Sequence, residues 1–255
     1  MDFAGDGLPL SGVGLTTVTD LLGVEPEALW ACLRVETSGC GFLRDRRPAI
    51  LFERHIFHRE TNGRFDQTAP EVSNPDSGGY GARGGHQYDR LASAIALDRR
   101  AALRSASWGI GQVMGFHAET LGYADVEAMV AAMVTAEDEQ LRAMATFIKT
   151  SGLDRAMQRQ DWTAFARGYN GSNFAINKYD TKLAEQHAQL VANGLPDLGI
   201  RSAQLWLTYG GFDPGPVDGL MGNRTRTALS QFQSTAGLPV TGAADDATLA
   251  RLAAP

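Results

Sequence analysis

Cysteine is almost missing from this chain of 255 residues, which holds only Cys32 and Cys40. Two thiols cannot staple a small secreted scaffold, so nothing here demands an oxidising compartment. A helix running through both would hold them about 12 Å apart, too far for a bridge, and both are expected to be reduced. No run of roughly 18 apolar residues occurs, which argues against a membrane span. The opening stretch, MDFAGDGLPLSGVG, has no basic segment and no long apolar run, and does not read as a classical export signal. Positive charge is also scarce. With 23 Lys and Arg against 29 Asp and Glu the net charge is −6, which disfavours a general nucleic-acid binder. What is present, 44% hydrophobic and 20% charged residues, fills the core of one large or two modest domains. That composition excludes a disordered or collagen-like chain.

Charge is spread unevenly. From Arg34 to Arg64 seven arginines accompany four acids (Glu36, Asp45, Glu53 and Glu60), a local +3 inside an acidic protein. Such a stretch reads as a solvated face with local ion pairs or as a patch for an anionic substrate. The clearest seam is ANGLPDLGI, residues 192–200, where Gly194 stops a helical run and Pro196 follows. From residue 198 onward four arginines balance four aspartates, so the whole −6 lies upstream. A domain over 1–192 and a second over 200–255 are expected.

The larger part reads as mostly helical. Pro26 suits a first helical turn in VEPEALWACLRVETSG, and Gly39 suits the stop. Tyr88, Leu91, Ala92 and Ile95 repeat at helical spacing, as do Leu141, Met144, Ala145 and Ile148. Asp125, Thr135 (with Asp138 three residues on) and Asp161 are predicted N-caps. Between Pro48 and Tyr88 the helical pattern fails. AILFERHIF suggests a short strand, TNGRF an Asn-Gly turn and GGYGARGG a glycine-rich, mobile loop beside a cleft. The expected fold class is mainly α with a small non-helical insert, without the strand–helix alternation of a parallel sheet.

Leu29, Leu33 and Glu36 fall at i, i+4 and i+7 of the helix that begins at Pro26. Glu36 therefore shares a face with two leucines at the last turn. Lost hydration and the negative end of the helix dipole both raise the pKa of a carboxyl so placed. A glutamic acid kept protonated near neutrality can donate a proton to a leaving oxygen. The same pattern also fits a glutamate that reaches back to water or pairs with an arginine.

VETSGCGF, RPAILFERHIFHRETNGRFD, SASWGIGQVMGF, FARGYNG and YDTKL follow one another between about Asp20 and Leu190. In that order they resemble the N-acetylmuramidase family of phage endolysins. The trio of glutamate–Ser-Gly, S-x-x-x-G-x-x-Q and Tyr-Asn is also similar to goose-type lysozymes and lytic transglycosylases. This resemblance implies a lysozyme-like helical fold with Glu36 as the catalytic acid. It also implies a sugar cleft lined by Ser107, Gln112, Tyr169 and Asn170. Glu53, among apolar neighbours and arginines in ILFERH, is the candidate second carboxylate that activates a water. Pairing of Glu53 with Arg54 or a neighbouring arginine is the alternative.

The tail, QLWLTYGGFDPGPVDGLMGNRTRTALSQFQSTAGLPVTGAADDATLARL, resembles the peptidoglycan-binding domain of cell-wall hydrolases, a small three-helix module. Val217-Asp218-Gly219, Gly222, Thr225, Phe232-Gln233 and Gly237-Leu238 carry that likeness. Residues alone give a small helical domain with Ala228, Leu229 and Phe232 on its apolar face. Together the two resemblances imply an endolysin-type muramidase. Its bond would be the one from N-acetylmuramic acid to N-acetylglucosamine in bacterial peptidoglycan. The enzyme is expected to be a monomer with no cofactor, no metal, no nucleic-acid partner and no membrane partner. Synthesis in the host cytoplasm and release through a holin-type lesion follow from the same likeness. A lytic transglycosylase forming 1,6-anhydro products and a non-catalytic wall-binding structural protein are the alternatives. If the tail only raises local concentration on the polymer, a chain ending near Leu190 keeps its activity on soluble fragments.

Other chemistry finds less support. His55 and His58 lack the i, i+4 spacing of a helical zinc pair, and on a strand they would point to opposite faces. GGYGARGG has no GK[ST] of a phosphate cradle. Trp30, Trp108 and Trp162 are expected in the core, Trp108 having the best claim to a cleft through its neighbour Gly109.

Overall fold

The computed structural model describes residues 3–36, 39–171 and 174–254, without the side chains of Glu36 and Phe174. Helices α1 (Gly12–Leu22) and α2 (Pro26–Glu36) lead into strand β1 (Ile50–Phe52), then α3 (Arg54–Glu60), α4 (His86–Ile95) and α5 (Arg99–Arg104). Strands β2 (Ala106–Trp108) and β3 (Val113–Met114) precede α6 (Val126–Met133), α7 (Glu137–Thr150), α8 (Asp154–Gln158), α9 (Trp162–Asn170) and α10 (Tyr179–Asn193). The tail supplies α11 (Leu198–Tyr209), α12 (Asn223–Thr235) and α13 (Asp246–Ala253). The fold is mainly α with one small sheet, as the sequence suggests.

Local chemistry explains the helix ends. Ser11 caps α1 by accepting from the Gly14 amide, and Gly23 ends it in the left-handed region at φ 65°. Pro26 opens α2, where its missing N–H costs nothing. Asp125 and Asp161 cap α6 and α9 through the amides of Ala128 and Ala164. Thr135 does not cap α7. Ala136 holds that position, the Thr135 hydroxyl donates to the Ala132 carbonyl, and Asp138 accepts both the amide and the hydroxyl of Ser11. The long-range bond to α1 outcompetes the local cap.

Residues 28–33 of α2 are all buried, so this helix is enclosed on every side. Helix α10 lies along it, and the fully buried α7 stripe Leu141, Met144, Ala145 and Ile148 belongs to the same core. In α4 the buried stripe runs through Gln87, Tyr88, Leu91 and Ala94, while Ala92 is exposed. Trp108 is a core residue, not a cleft one. It is fully buried, packs on Phe3 at 5.7 Å and donates through Nε1 to the Leu103 carbonyl. Trp30 and Trp162 are buried, and Cys32 and Cys40 are not joined in a disulfide.

The sheet has the antiparallel order β1-β2-β3, with Leu51 opposite Ser107 and Ser107 opposite Met114. The strand expected over AILFERHIF stops at Phe52 because Glu53 opens α3 as its N-cap residue. His55 and His58 are therefore helical, facing Glu53 and Asp66 respectively. The Asn-Gly turn is present, with Asn62 and Gly63 both at positive φ.

The tail helices enclose a small core of Ala203, Leu207, Ala228, Leu229 and Leu252. Two buried glutamines pin its loops by the same plan. Gln204 Oε1 accepts the amides of Asp218 and Gly219, and its Nε2 donates to Thr225 Oγ1. Gln233 Oε1 accepts the amides of Thr241 and Gly242, and its Nε2 donates to Thr248 Oγ1. A third apolar cluster, Phe42, Leu205 and Val217 with Cys40 and Tyr209 against it, joins the tail to the larger body.

Candidate active site

Glu36 is the last residue of α2, and the two leucines that share its stripe, Leu29 and Leu33, are buried. Its side chain lies outside the described residues. The chain that follows is tied to the sheet by backbone bonds. Ala49 N donates to the Gly41 carbonyl at 2.8 Å, and the Ala49 carbonyl accepts from Gly109 N at 2.8 Å. The end of α2 thus leads onto the turn between β2 and β3.

That turn gathers three predicted residues. Gly109 sits at φ 69°, and a Cβ there would lie 2.5 Å from the Gln140 side chain, so both conformation and space demand glycine. Gln112 also has positive φ, 47°. Its Nε2 donates to the carbonyls of Ala49 and Gly109 at 3.1 and 2.8 Å, and its Oε1 accepts from Ser107 Oγ at 2.9 Å. The Tyr169 hydroxyl donates to the Gly111 carbonyl at 2.9 Å, while its ring stacks on Phe165. Ser107, Gln112 and Tyr169 therefore meet on one hydrogen-bonded turn, and Asn170 ends α9 next to Tyr169. The Gln112 amide shapes the turn with both of its polar ends.

Glu53 stands just beyond β1, its amide bonded to the Ser105 carbonyl and its side chain 16% exposed. The carboxylate lies 3.2 Å from His55 Nδ1, and its charge acts on the nearby Tyr80 phenol. Burial, then the Glu53 charge, push the Tyr80 pKa up, so the phenol keeps its proton. Gln87 places Tyr80 there. It accepts from Phe52 N and donates to the Tyr80 and Ala82 carbonyls, both at 2.7 Å. The glycine-rich loop is thereby anchored to β1. Arg54 does not make the alternative pair with Glu53; its Nε donates to the Asp76 carbonyl. The cation whose balance includes the Glu53 charge is the buried Arg90, whose Nη1 donates to the Phe52 carbonyl.

One feature of this region has no sequence signal. Phe116, His117, Phe147 and Tyr169 form a half-buried aromatic row with centroid separations of 4.3, 5.0 and 5.7 Å. Burial and the charges of Arg59 and Arg104 lower the His117 pKa, so the imidazole is neutral at pH 7. These rings come from three separated segments; only the GFH that follows GQVM hints at them.

A concavity of about 440 Å³ lies on the tail helices, lined by Trp206, Tyr209, Phe212, Phe232, Arg251 and, from the larger body, Arg46. None of the predicted site residues lines it.

Residues 25–191 match the N-acetylmuramidase family, and residues 196–252 match the peptidoglycan binding domain family. The crystal structure of the Burkholderia AP3 phage endolysin is similar, at 39% sequence identity and a TM-score of 0.67. The similarity covers 72% of this chain and 71% of that one. No curated protein matches the chain.

Proposed function

The chain belongs to the N-acetylmuramidase family of peptidoglycan hydrolases, and on that premise we propose that it cleaves the bond from N-acetylmuramic acid to N-acetylglucosamine with Glu36 as general acid. The observation that carries this reading is the place of Glu36. It ends a helix on the stripe of the buried Leu29 and Leu33, and the negative end of a helix dipole favours the protonated form of an acid at that position. Such an acid donates to the glycosidic oxygen as the bond breaks.

Glu53 is the proposed base. Its side chain is 16% exposed with Oε2 buried, and it lies near Tyr80 and beside β1, next to the strand and turn that carry Ser107 and Gln112. A carboxylate so placed can take a proton from the attacking water. Tyr169 and the rings beside it offer flat apolar faces to a sugar, with Ser107, Gln112 and Asn170 on the same wall. The catalytic domain is assigned to 1–192 and the wall-binding domain to 200–255. The protein acts as a monomer on bacterial cell wall, reaching it through a holin-type lesion as an endolysin does.

Reducing-end release from purified peptidoglycan tests the reading. Glu36→Gln is expected to lose at least about 100-fold in rate with an unchanged melting curve, because the amide keeps the shape but has no acidic proton. A rate near that of the unmodified enzyme would refute it.

A further inference from the structure

The tail is joined to the larger body through a buried charge, which a mere tether does not require. Arg201 lies in the first turn of α11 and is 1% exposed. Its guanidinium leaves the tail and enters the larger body, bonding both oxygens of Glu137, the first residue of α7. Glu137 is itself fully buried. The same Arg201 Nη2 donates to the Gly39 carbonyl at 2.8 Å. Glu137 in turn accepts the Gly41 amide at 2.8 Å and the Leu10 amide at 2.9 Å. The pair therefore grips the backbone at two points, three and five residues after Glu36.

This segment runs in a slot with no room for a side chain at Gly41 and little at Gly39. Gly39 has φ 100°, and a Cβ on it would meet the Val217 carbonyl of the tail at 3.2 Å. A Cβ on Gly41 would lie 1.7 Å from Gln140 Oε1 of the body. Between them Cys40 packs on the apolar seam of Phe42, Leu205 and Val217. At the rim, Tyr209 donates to the Gly7 carbonyl and Arg44 to the Gly211 carbonyl, each at 2.8 Å.

We propose that Arg201 of the wall-binding module is a positioning residue for the catalytic acid, fixing the backbone that leaves Glu36. An apolar seam alone would hold the module in place. A planar guanidinium bonded to Glu137 and to a backbone carbonyl adds direction, fixing where Gly39 and Gly41 lie. A general acid works within a narrow range of distance, and a shift of about 1 Å can cost on the order of 100-fold in rate. The module thus contributes to turnover as well as to wall affinity, which reverses the expectation that a chain ending near Leu190 keeps its activity on soluble fragments. The inference rests on the reading of Glu36 as general acid.

The test uses the full chain and soluble, peptide-free oligosaccharides of alternating N-acetylglucosamine and N-acetylmuramic acid, on which wall affinity has no influence. Arg201→Met/Glu137→Gln removes both charges and keeps one acceptor oxygen at residue 137, enough for one of the two backbone amides that Glu137 serves. It is expected to lower kcat roughly 10- to 100-fold with KM within about twofold, while binding to insoluble wall is unchanged. Arg201→Lys keeps the buried positive charge but cannot bond Glu137 and Gly39 together as a fork. It is expected to fall between the two, and it decides the matter if the double variant fails to fold. A folded variant with kcat within twofold of the unmodified enzyme overturns the proposal. Glu36→Gln is measured in parallel. If it is inactive while the Arg201 variants turn over normally, only the positioning role fails. If it is active, the general-acid reading fails and takes this inference with it.

Discussion

Replacing Arg201 by methionine alone should destabilise the protein far more than the loss of one surface ion pair. The substitution leaves Glu137 fully buried with the amides of Gly41 and Leu10 but without its counter-charge. Removing one partner of a buried pair typically costs about 3–5 kcal/mol. For a chain of this size each kcal/mol moves the melting temperature by about 2–4 °C, so a drop of roughly 6–20 °C is expected at pH 7. Neutralising both residues, as in Arg201→Met/Glu137→Gln, should recover part of that loss, since desolvating the two charges opposed their attraction from the start, while the glutamine amide can accept from only one of the two backbone N–H groups. The pH dependence carries a sign of its own. Burial by itself raises the Glu137 pKa, but the Arg201 charge and hydrogen bonds, with the two backbone amides, hold it below its ordinary value. The native state then binds fewer protons than the unfolded chain, so the pair's stabilisation is complete above about pH 4.5 and is lost as pH falls through the lowered native value. In Arg201→Met the carboxyl is buried without its counter-charge and its pKa rises, so the gap to the unmodified protein should narrow in acid. Thermal melts at a series of pH values read both effects. A single variant within about 1 kcal/mol of the unmodified protein, or a double variant less stable than the single one, would refute the reasoning.

Two further outcomes follow from the site and its surroundings. Burial, then the nearby Glu137 charge, raise the Cys40 thiol to about 11, so at pH 8 roughly one molecule in a thousand carries the thiolate. Alkylation followed by mass spectrometry should therefore find Cys40 protected until the protein unfolds, and labelling at the rate of a free thiol would contradict this. Glu53→Gln should cost roughly 10- to 1,000-fold in hydrolysis rate with little change in melting if Glu53 is the base. A near-normal rate would make it a packing residue for Tyr80 and His55.

Much of the fold was legible because its signals are local. Asp125 and Asp161 mark helix starts through bonds that span three residues, Pro26 through its fixed φ and missing N–H, and the α7 stripe follows from helical spacing alone. Misreadings came where a distant partner outcompeted a local one. Thr135 and Asp138 have the spacing of a capping pair, but Ser11 claims the aspartate from 127 positions away. ILFERH reads as a strand until Glu53 turns it into a helix, and Gly109 faces Gln140 rather than exposing Trp108. Ser107, Gln112 and Tyr169 were legible through family likeness, and the structure brings them to one turn. The aromatic row and the Glu137–Arg201 pair were not legible, since each joins segments that lie tens of residues apart. Glu137 also opens an EDE stretch that looks like an ordinary solvated first turn. The paired Gln204 and Gln233 staples likewise needed coordinates to give the tail's motif residues a shared physical role.

The most direct test of the central claim is mass spectrometry of the products released from purified peptidoglycan in heavy-oxygen water. Hydrolysis of the bond from N-acetylmuramic acid to N-acetylglucosamine predicts fragments whose new reducing end is muramic acid carrying one heavy oxygen. Unlabelled 1,6-anhydromuramic ends would contradict the assigned reaction in favour of a transglycosylase. Intact glycan strands after prolonged digestion would contradict glycosidic cleavage altogether.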